Sequence, residues 1–536
     1  MKRILFFLML ISVSGAFAQQ DAWVYFNAKP DATAFFANPL IELSQRSLDR
    51  RAAQGIALDF KDAPISQSYI SQIAAAPGIT LKAKSKWLNC VHVRGSVSDI
   101  NALAALPFVD HVHFADNSLN ARMAAPQAHG AVHKQMEVET NFNYGTSLNQ
   151  IHMLNGDLLH QQNYTGAGKI IAVLDAGFPN VNTLQPFQRL RDNNQILGGY
   201  NYVAKDSLVY TADTHGTMVL STMGGYKDGA LVGTAPDAKY YLFITEDVAE
   251  ENPVEESNWV EAAESADRVG TDVITSSLGY FGFDNPNYGH TYEDMTGDAA
   301  FASKGANIAF TRGMVVVASA GNEGATSEPH VGVPAEANNV LAIGAVRSNR
   351  LYASFSSIGP SFDGRVKPDL MAQGQASVLA NPSTGAITTA NGTSFSGPIL
   401  AGMIATFWSA VPDLTNQQVV DFVRESADKY TNPNFQYGYG IPDFQLALTQ
   451  ALGTASFSTA KFTVAPNPAH DYVGISFANG FRNAKVTLYN ALGQRVSEQN
   501  VNPDNAQISV ANLTPGMYLY KVESGTVSQS GKIVKQ

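Results

Sequence analysis

Apolar residues recur along this chain in three patterns, and each predicts a different architecture. Between residues 168 and 346 continuous apolar runs end in small or polar residues: GKIIAVLDAG, KYYLFITED, DVITSSLG, GMVVVASAG and NVLAIGAV. A strand that is apolar throughout is buried on both faces. Helix-period segments such as ESNWVEAAESADRVG and GDAAFASKGANIAF lie between these runs. Helical texture continues through SFSGPILAGMIATFWSAV, TNQQVVDFVRESA and DFQLALTQAL. Strands alternating with helices predict an α/β domain over 146–455, a parallel sheet with helices on both faces. Ligands and chemistry in such sheets sit at the C-terminal ends of the strands.

The flanks read differently. In 19–115 the strand-like AWVYFNAK, KWLNCVHVRG and FVDHVHFA accompany the capped helical pattern SVSDINALAAL, which predicts a small α+β domain. Residues 116–145 are rich in Asn, Ala, Gln and His without periodicity and read as a linker. From 462 to 536 short alternating strands separated by turn residues, among them AKVTLYNALGQRVSEQ and SQSGKIVKQ, predict a small β-sandwich. Residues 1–18 carry a Lys-Arg start, an apolar run and the small-x-small ending Ala16-Phe17-Ala18, which together read as a signal peptide.

Composition narrows the function. With 536 residues, 45% apolar and 15% charged, the chain is folded material of about three to four domains. A net charge of -11 excludes the basic face of a nucleic-acid binder. No stretch after the signal peptide is long and apolar enough to span a bilayer. The one cysteine, Cys90, rules out an intramolecular disulfide, and its strand context reads as a small buried hydrophobe.

Four polar residues fall where an α/β sheet keeps its chemistry. Asp175 ends the strand IIAVLD, His215 opens an apolar helical run in DTHGTMVLSTMGG, Asn322 follows the strand VVVAS, and Ser394 stands in NGTSFSGPIL. Singly, each has an ordinary explanation: an ion-binding or capping Asp, a structural His, a turn Asn, a helix-capping Ser. Together they supply a hydroxyl, a base, a carboxylate to orient the base, and an amide donor for a developing oxyanion. A serine at a helix start also offers its own unpaired N–H as a second oxyanion donor, aided by the helix dipole.

The set resembles the subtilases, the subtilisin-like serine endopeptidases. The carriers are IAVLDAGF, THGTMV, ITSSLG, SAGNEG and GTSFSGP, with YASFSSIGP and GRVKPDL leading into the last, and the chain order Asp, His, Ser. The resemblance spans about residues 145–452. It implies Ser394 as nucleophile, His215 as general base then acid, Asp175 as orienter, and an oxyanion hole of Asn322 and the Ser394 N–H. It also implies that Ser277, Leu278 and Gly279 line the substrate cleft and pair with a peptide as an added strand. Residues 19–115 resemble the inhibitory propeptide of that family, with the processing cut placed in 116–145. Residues 462–536 resemble the C-terminal sorting domain of type IX secretion substrates, through VAPNPAHDYVGISF, VTLYNALGQRV and LTPGMYLYKV. The implied partners are protein or peptide substrates, the chain's own propeptide and the type IX secretion machinery. The implied location is outside the cell or on its surface, by way of the periplasm and outer membrane.

Departures from the family pattern touch cleft shape and leave the catalytic atoms in place: Ala176 after the Asp, Phe395-Ser396 after the nucleophile, and Gln373 after KPDL. An α/β-hydrolase is disfavoured because Gly392-Thr393-Ser394-Phe395-Ser396 lacks its final Gly and the only later His is His470. A metalloprotease lacks its H-E-x-x-H. The chemistry needs no cofactor; structural calcium is common in the family, but no calcium-loop pattern occurs and none is placed. The non-enzymatic alternative is an inactive surface adhesin on the same scaffold.

Overall fold

The strand Ile170–Asp175, with all six residues buried, lies inside a seven-stranded sheet. In this computed structural model residues 19–120, 142–458, 462–477, 483–490, 494–502, 505–524 and 527–536 are described. The expected signal peptide and most of the expected linker fall outside them.

The first part of the chain folds as a four-stranded antiparallel sheet. Its strands are β1 (Gln20–Phe26), β2 (Thr80–Ser85), β3 (Cys90–Gly95) and β4 (Val109–Phe114), in spatial order β2-β3-β1-β4. This is the expected α+β domain, with Cys90 buried. The segment between β1 and β2 forms an arm that includes the helix α1 (Gln45–Ala53).

The central sheet follows. Its strands are β5 (Ile170–Asp175), β6 (Ile196–Asn201), β7 (Lys239–Ile244), β8 (Val273–Ser276), β9 (Val315–Ser319), β10 (Val340–Val346) and β11 (Leu370–Gln373). They lie in the order β11-β10-β9-β8-β5-β7-β6, every neighbouring pair parallel. The two edge strands are the ones the apolar runs did not announce. β6 carries two glycines and is mostly half-exposed, and β11 is four residues long.

Helices α2 (His215–Gly224) and α5 (Thr393–Ala410) pack together and on the sheet; α3 (Val254–Val269) and α4 (Phe301–Thr311) form a second pair. Alternation sorts the strand residues between the pairs. Ala172, Leu174, Ile274, Val316 and Ala318 join a core with Trp259, Val260 and Ala306 of α3 and α4. By parity, Ile171, Val173 and Asp175 turn toward α2 and α5. The expected α/β sheet with helices on both faces is therefore present.

The first domain lies on α3 and α4. Trp23 stacks on Phe301 at 4.8 Å and its Nε1 donates to Ser257 Oγ at 2.8 Å. Glu264 accepts from Ser85 Oγ (2.7 Å), Trp87 N (2.9 Å) and Lys86 N (3.1 Å), so one carboxylate receives a whole turn of the domain. Burial pushes its pKa up to about 7, against the pull of Lys86 and these bonds.

The chain from Ala451 on is a separate unit. One sheet there holds β12 (Phe462–Ala465), β13 (Tyr472–Phe477) and β16 (Gln507–Ser509). The other holds β14 (Ala484–Tyr489), β15 (Arg495–Val501), β17 (Gly516–Ser524) and β18 (Val527–Lys535). Val473, Ile475, Val486, Leu488, Ile508 and Val522 close a core between them, in line with the expected β-sandwich.

Candidate active site

Asp175 is fully buried at the last position of β5. Its Oδ1 accepts from the N–H of Ala176 at 2.8 Å and lies 2.8 Å from His215 Nδ1. A carboxylate accepts, so Nδ1 carries the proton and Nε2 keeps its lone pair. The Asp175 charge raises the pKa of His215, burial opposes it, and the hydrogen bond to Asp175 adds to the rise. His215 opens α2, where its N–H donates to Asp213 Oδ1 at 2.8 Å. Gly216 is needed next because a Cβ there would meet Gly177 O at 2.5 Å and Asp175 Cβ at 2.9 Å. The helix thus comes close enough to the strand end for the imidazole to reach the carboxylate.

Ser394 is the second residue of α5, after the N-cap Gly392 at φ +150°. A first-turn N–H has no partner within its helix, and that of Ser394 finds none elsewhere among the described residues. Pro398, inside the helix, has no N–H to give the Ser394 carbonyl four residues back. Ser277 Oγ donates to that carbonyl instead, at 3.0 Å, and ties the helix start to the segment after β8.

Asn322 follows β9. Its Oδ1 accepts from Thr393 N at 2.9 Å and from Thr393 Oγ1 at 3.2 Å. A backbone N–H can only donate, so the oxygen end of the amide is held against Thr393 and the NH₂ end is left for other partners. Thr393 Oγ1 also lies 3.1 Å from Gly321 O and accepts from Gly321 N at 3.2 Å. The sequence pattern pointed to Asn322 but not to the threonine that sets its direction; the Thr in GTS, next to the nucleophile, was the available signal.

Ser277, Leu278, Gly279, Asn322 and Ser394 all line one cavity of about 420 Å³. Gly332 lies in its wall, and Tyr280 N donates to Val333 O at 2.8 Å along the same wall. His215 connects to this group through Phe395, whose ring centroid is 6.1 Å from the imidazole. No hydrogen bond joins Ser394 Oγ to His215 among the described residues; such bonds commonly tighten only with substrate in place. One further carboxyl was not foreseen. Glu246, just beyond β7, accepts from Tyr280 Oη (2.7 Å) and Thr245 Oγ1 (2.9 Å), and burial pushes its pKa up to about 7. Among the described residues there is no group of three or more His, Cys, Asp or Glu fit to hold a metal ion.

Comparisons with known proteins match three stretches of the chain. A family model described as the Subtilase family matches residues 166–440. One described as the Peptidase S8 propeptide domain, Bacteroidota, matches 21–131, and one described as the Secretion system C-terminal sorting domain matches 463–536. Subtilisin DY of Bacillus licheniformis is 30% identical over 299 residues, covering 55% of this chain and 97% of its own length. Subtilisin NAT of Bacillus subtilis subsp. natto is 32% identical over 301 residues, covering 55% of this chain and 70% of its own.

Proposed function

The chain belongs to the subtilase family and is a serine-type endopeptidase carrying a secretion sorting domain, and on that premise we propose that Asp175, His215 and Ser394 are its triad. Ser394 Oγ attacks the scissile carbonyl while His215 Nε2 takes its proton. Asp175 holds the ring in the required tautomer and stabilises the imidazolium. Asn322 Nδ2 and the Ser394 N–H donate to the oxyanion. The imidazolium protonates the leaving amine, and water activated by the same base releases the acyl group. The peptide runs alongside Ser277–Gly279, through the 420 Å³ cavity that these residues line with Asn322 and Ser394.

The observation that supports this most is the charge-assisted bond that His215 Nδ1–H donates to Asp175 Oδ1, on a helix whose close approach needs Gly216. The domain built on β1–β4 fits an inhibitory propeptide, cut from the enzyme within 116–145. In the order of the chain, a signal peptide (1–18), a propeptide (19–115), a catalytic domain (146–455) and a sorting domain (462–536) make an exported zymogen, released or held at the surface.

The test is intact-mass measurement after a fluorophosphonate probe, on wild type and Ser394→Ala. One adduct on a shortened wild-type species, and neither adduct nor shortening in the variant, is the expected result. Peptidase activity should fall about a millionfold in Ser394→Ala. A correctly shortened wild-type protein that takes no adduct would instead point to the inactive scaffold.

A further inference from the structure

The arm between β1 and β2 reaches a part of the catalytic domain far from the cleft. Helix α1 is capped by Ser44, whose side chain accepts from Ser47 N and whose own N–H donates to Arg268 O at 2.8 Å. Its last turn holds Arg50 and Arg51, both buried. Arg50 Nη2 lies 2.5 Å from Asp267 Oδ1, and Arg51 Nη2 lies 2.6 Å from Asp267 Oδ2, so the two guanidinium groups take one oxygen each. Arg50 also donates to the carbonyls of Thr271 and Arg312. Arg46, one turn earlier, pairs with Asp272 at 2.8 Å and donates to Gly168 O and Gly270 O. Gln54 continues the contact, donating to Gly313 O at 2.9 Å and accepting from Asn416 N at 3.0 Å.

The receiving surface is built from the C-terminal ends of α3 and α4. Asp267 stands in the last turn of α3, Gly270 is its C-cap, and Arg312 is the C-cap of α4. Helix C-termini present unpaired carbonyls and the negative end of the dipole, and a guanidinium fork matches both carbonyl and carboxylate. Burial works against the Asp267 charge, but Arg51 and Arg50 outweigh it and hold the pKa below the ordinary value. The location follows from topology. α3 leads into β8 through Asp272, which also accepts from Ile170 N at the start of β5. The surface therefore lies at the N-terminal edge of the sheet, opposite Asp175 and Ser394.

The contact carries both signs from each side: Arg46, Arg50, Arg51, Asp59 and Asp62 from the arm, and Asp267, Asp272 and Arg312 from the catalytic side. Arg312 now pairs across the contact with Asp59 (2.8 Å) and Asp62 (3.3 Å), while Arg51 pairs with Asp62 (2.9 Å). After separation each half keeps both signs, and Arg51 keeps Asp62 as a partner within the arm.

We propose that Asp267, with the carbonyl-bearing ends of α3 and α4, is a guanidinium-binding exosite at which Arg50 and Arg51 keep the severed prosegment bound and so prolong inhibition. This rests on the reading of the chain as a self-processing zymogen. The exosite adds a second hold to the one made by the sheet on α3 and α4, and it is independent of the cleft.

The test uses the full chain with Arg50→Leu and Arg51→Leu together, compared with wild type after self-cleavage. Co-elution of the prosegment on gel filtration and the appearance of peptidase activity are followed in time. We expect the prosegment to bind at least about 100-fold more weakly and activity to appear correspondingly earlier, with kcat/KM of the freed enzyme unchanged. Arg50→Lys, which keeps the charge but not the fork, should lie between. A double variant that is cut and stays inhibited as long as wild type overturns the proposal. Should the double variant fail to fold, hydrogen exchange on the uncut Ser394→Ala chain decides. Amides of α1 protected as strongly as those of β1 and β3 support the anchor, and unprotected amides there overturn it. A wild-type chain that never cuts itself would count against the zymogen reading alone, because the exchange result does not depend on cleavage.

Discussion

At the scale of single residues, the proposed mechanism hangs on one proton. On that mechanism His215 accepts the Ser394 proton only when its Nε2 is free, so activity would require the neutral ring. Asp175, 2.8 Å away, stabilises the charged ring and raises the pKa, against the burial that lowers it. The sign follows: the deprotonated fraction appears at higher pH than for an ordinary imidazole. The acid limb of kcat/KM on a small peptide substrate should therefore have its midpoint above about 6.5. A midpoint clearly below that value would mean that another group controls the limb. These residues were legible in the sequence because each stands in a short motif beside glycine or at a strand end. Thr393 was not legible in the same way. Its work is to bind Asn322, 71 positions away, and only the folded chain brings them together.

At the scale of elements, the site depends on how closely α2 approaches the end of β5. Gly216 has backbone and side-chain atoms of Gly177, Phe178 and Asp175 within 2.5–2.9 Å of where a Cβ would stand. Two of these belong to backbone or to a fully buried Asp, so neither can swing aside. Gly216→Ala should push the helix start off the strand and stretch the Asp175–His215 bond. We expect kcat to fall about 10- to 100-fold with KM little changed, read best as single-turnover acylation. An unchanged acylation rate would show that the helix can shift without moving the imidazole. The inner strands β5, β7, β8, β9 and β10 were legible because burial on both faces leaves an unbroken apolar run. The edges β6 and β11 were not: an edge strand has fewer neighbours to require such a run, and glycines or short length remove the rest of the signal. Pro398 lies early in α5 and frees the carbonyl that Ser277 takes.

At the scale of the whole molecule, sequence texture separated the parts of the chain but not the contacts between the first two. The ion pairs of Arg50 and Arg51 with Asp267 join residues 217 and 216 positions apart, and no periodicity reports a pairing of that kind. The tail is the opposite case. Its strands pair within β12–β18 and its core is closed by its own residues, so its alternation shows directly in sequence. A part with its own core can in principle fold alone. Its match to a secretion sorting domain gives it work in export. A chain that stops at Ser458 keeps the helix Phe444–Ser458 whole and loses only the tail. We expect this shortened enzyme to hydrolyse a peptide substrate within about twofold of the full-length protein and to show the same thermal transition for the catalytic unit. In cells it should be retained in the periplasm, while the full chain reaches the surface or medium. Activity measured on purified protein and fractionation of cells read the two effects separately. A drop in kcat/KM or in the catalytic transition would mean that the tail supports the enzyme as well as directing it, because a pure export signal can change where the protein is found but not its chemistry.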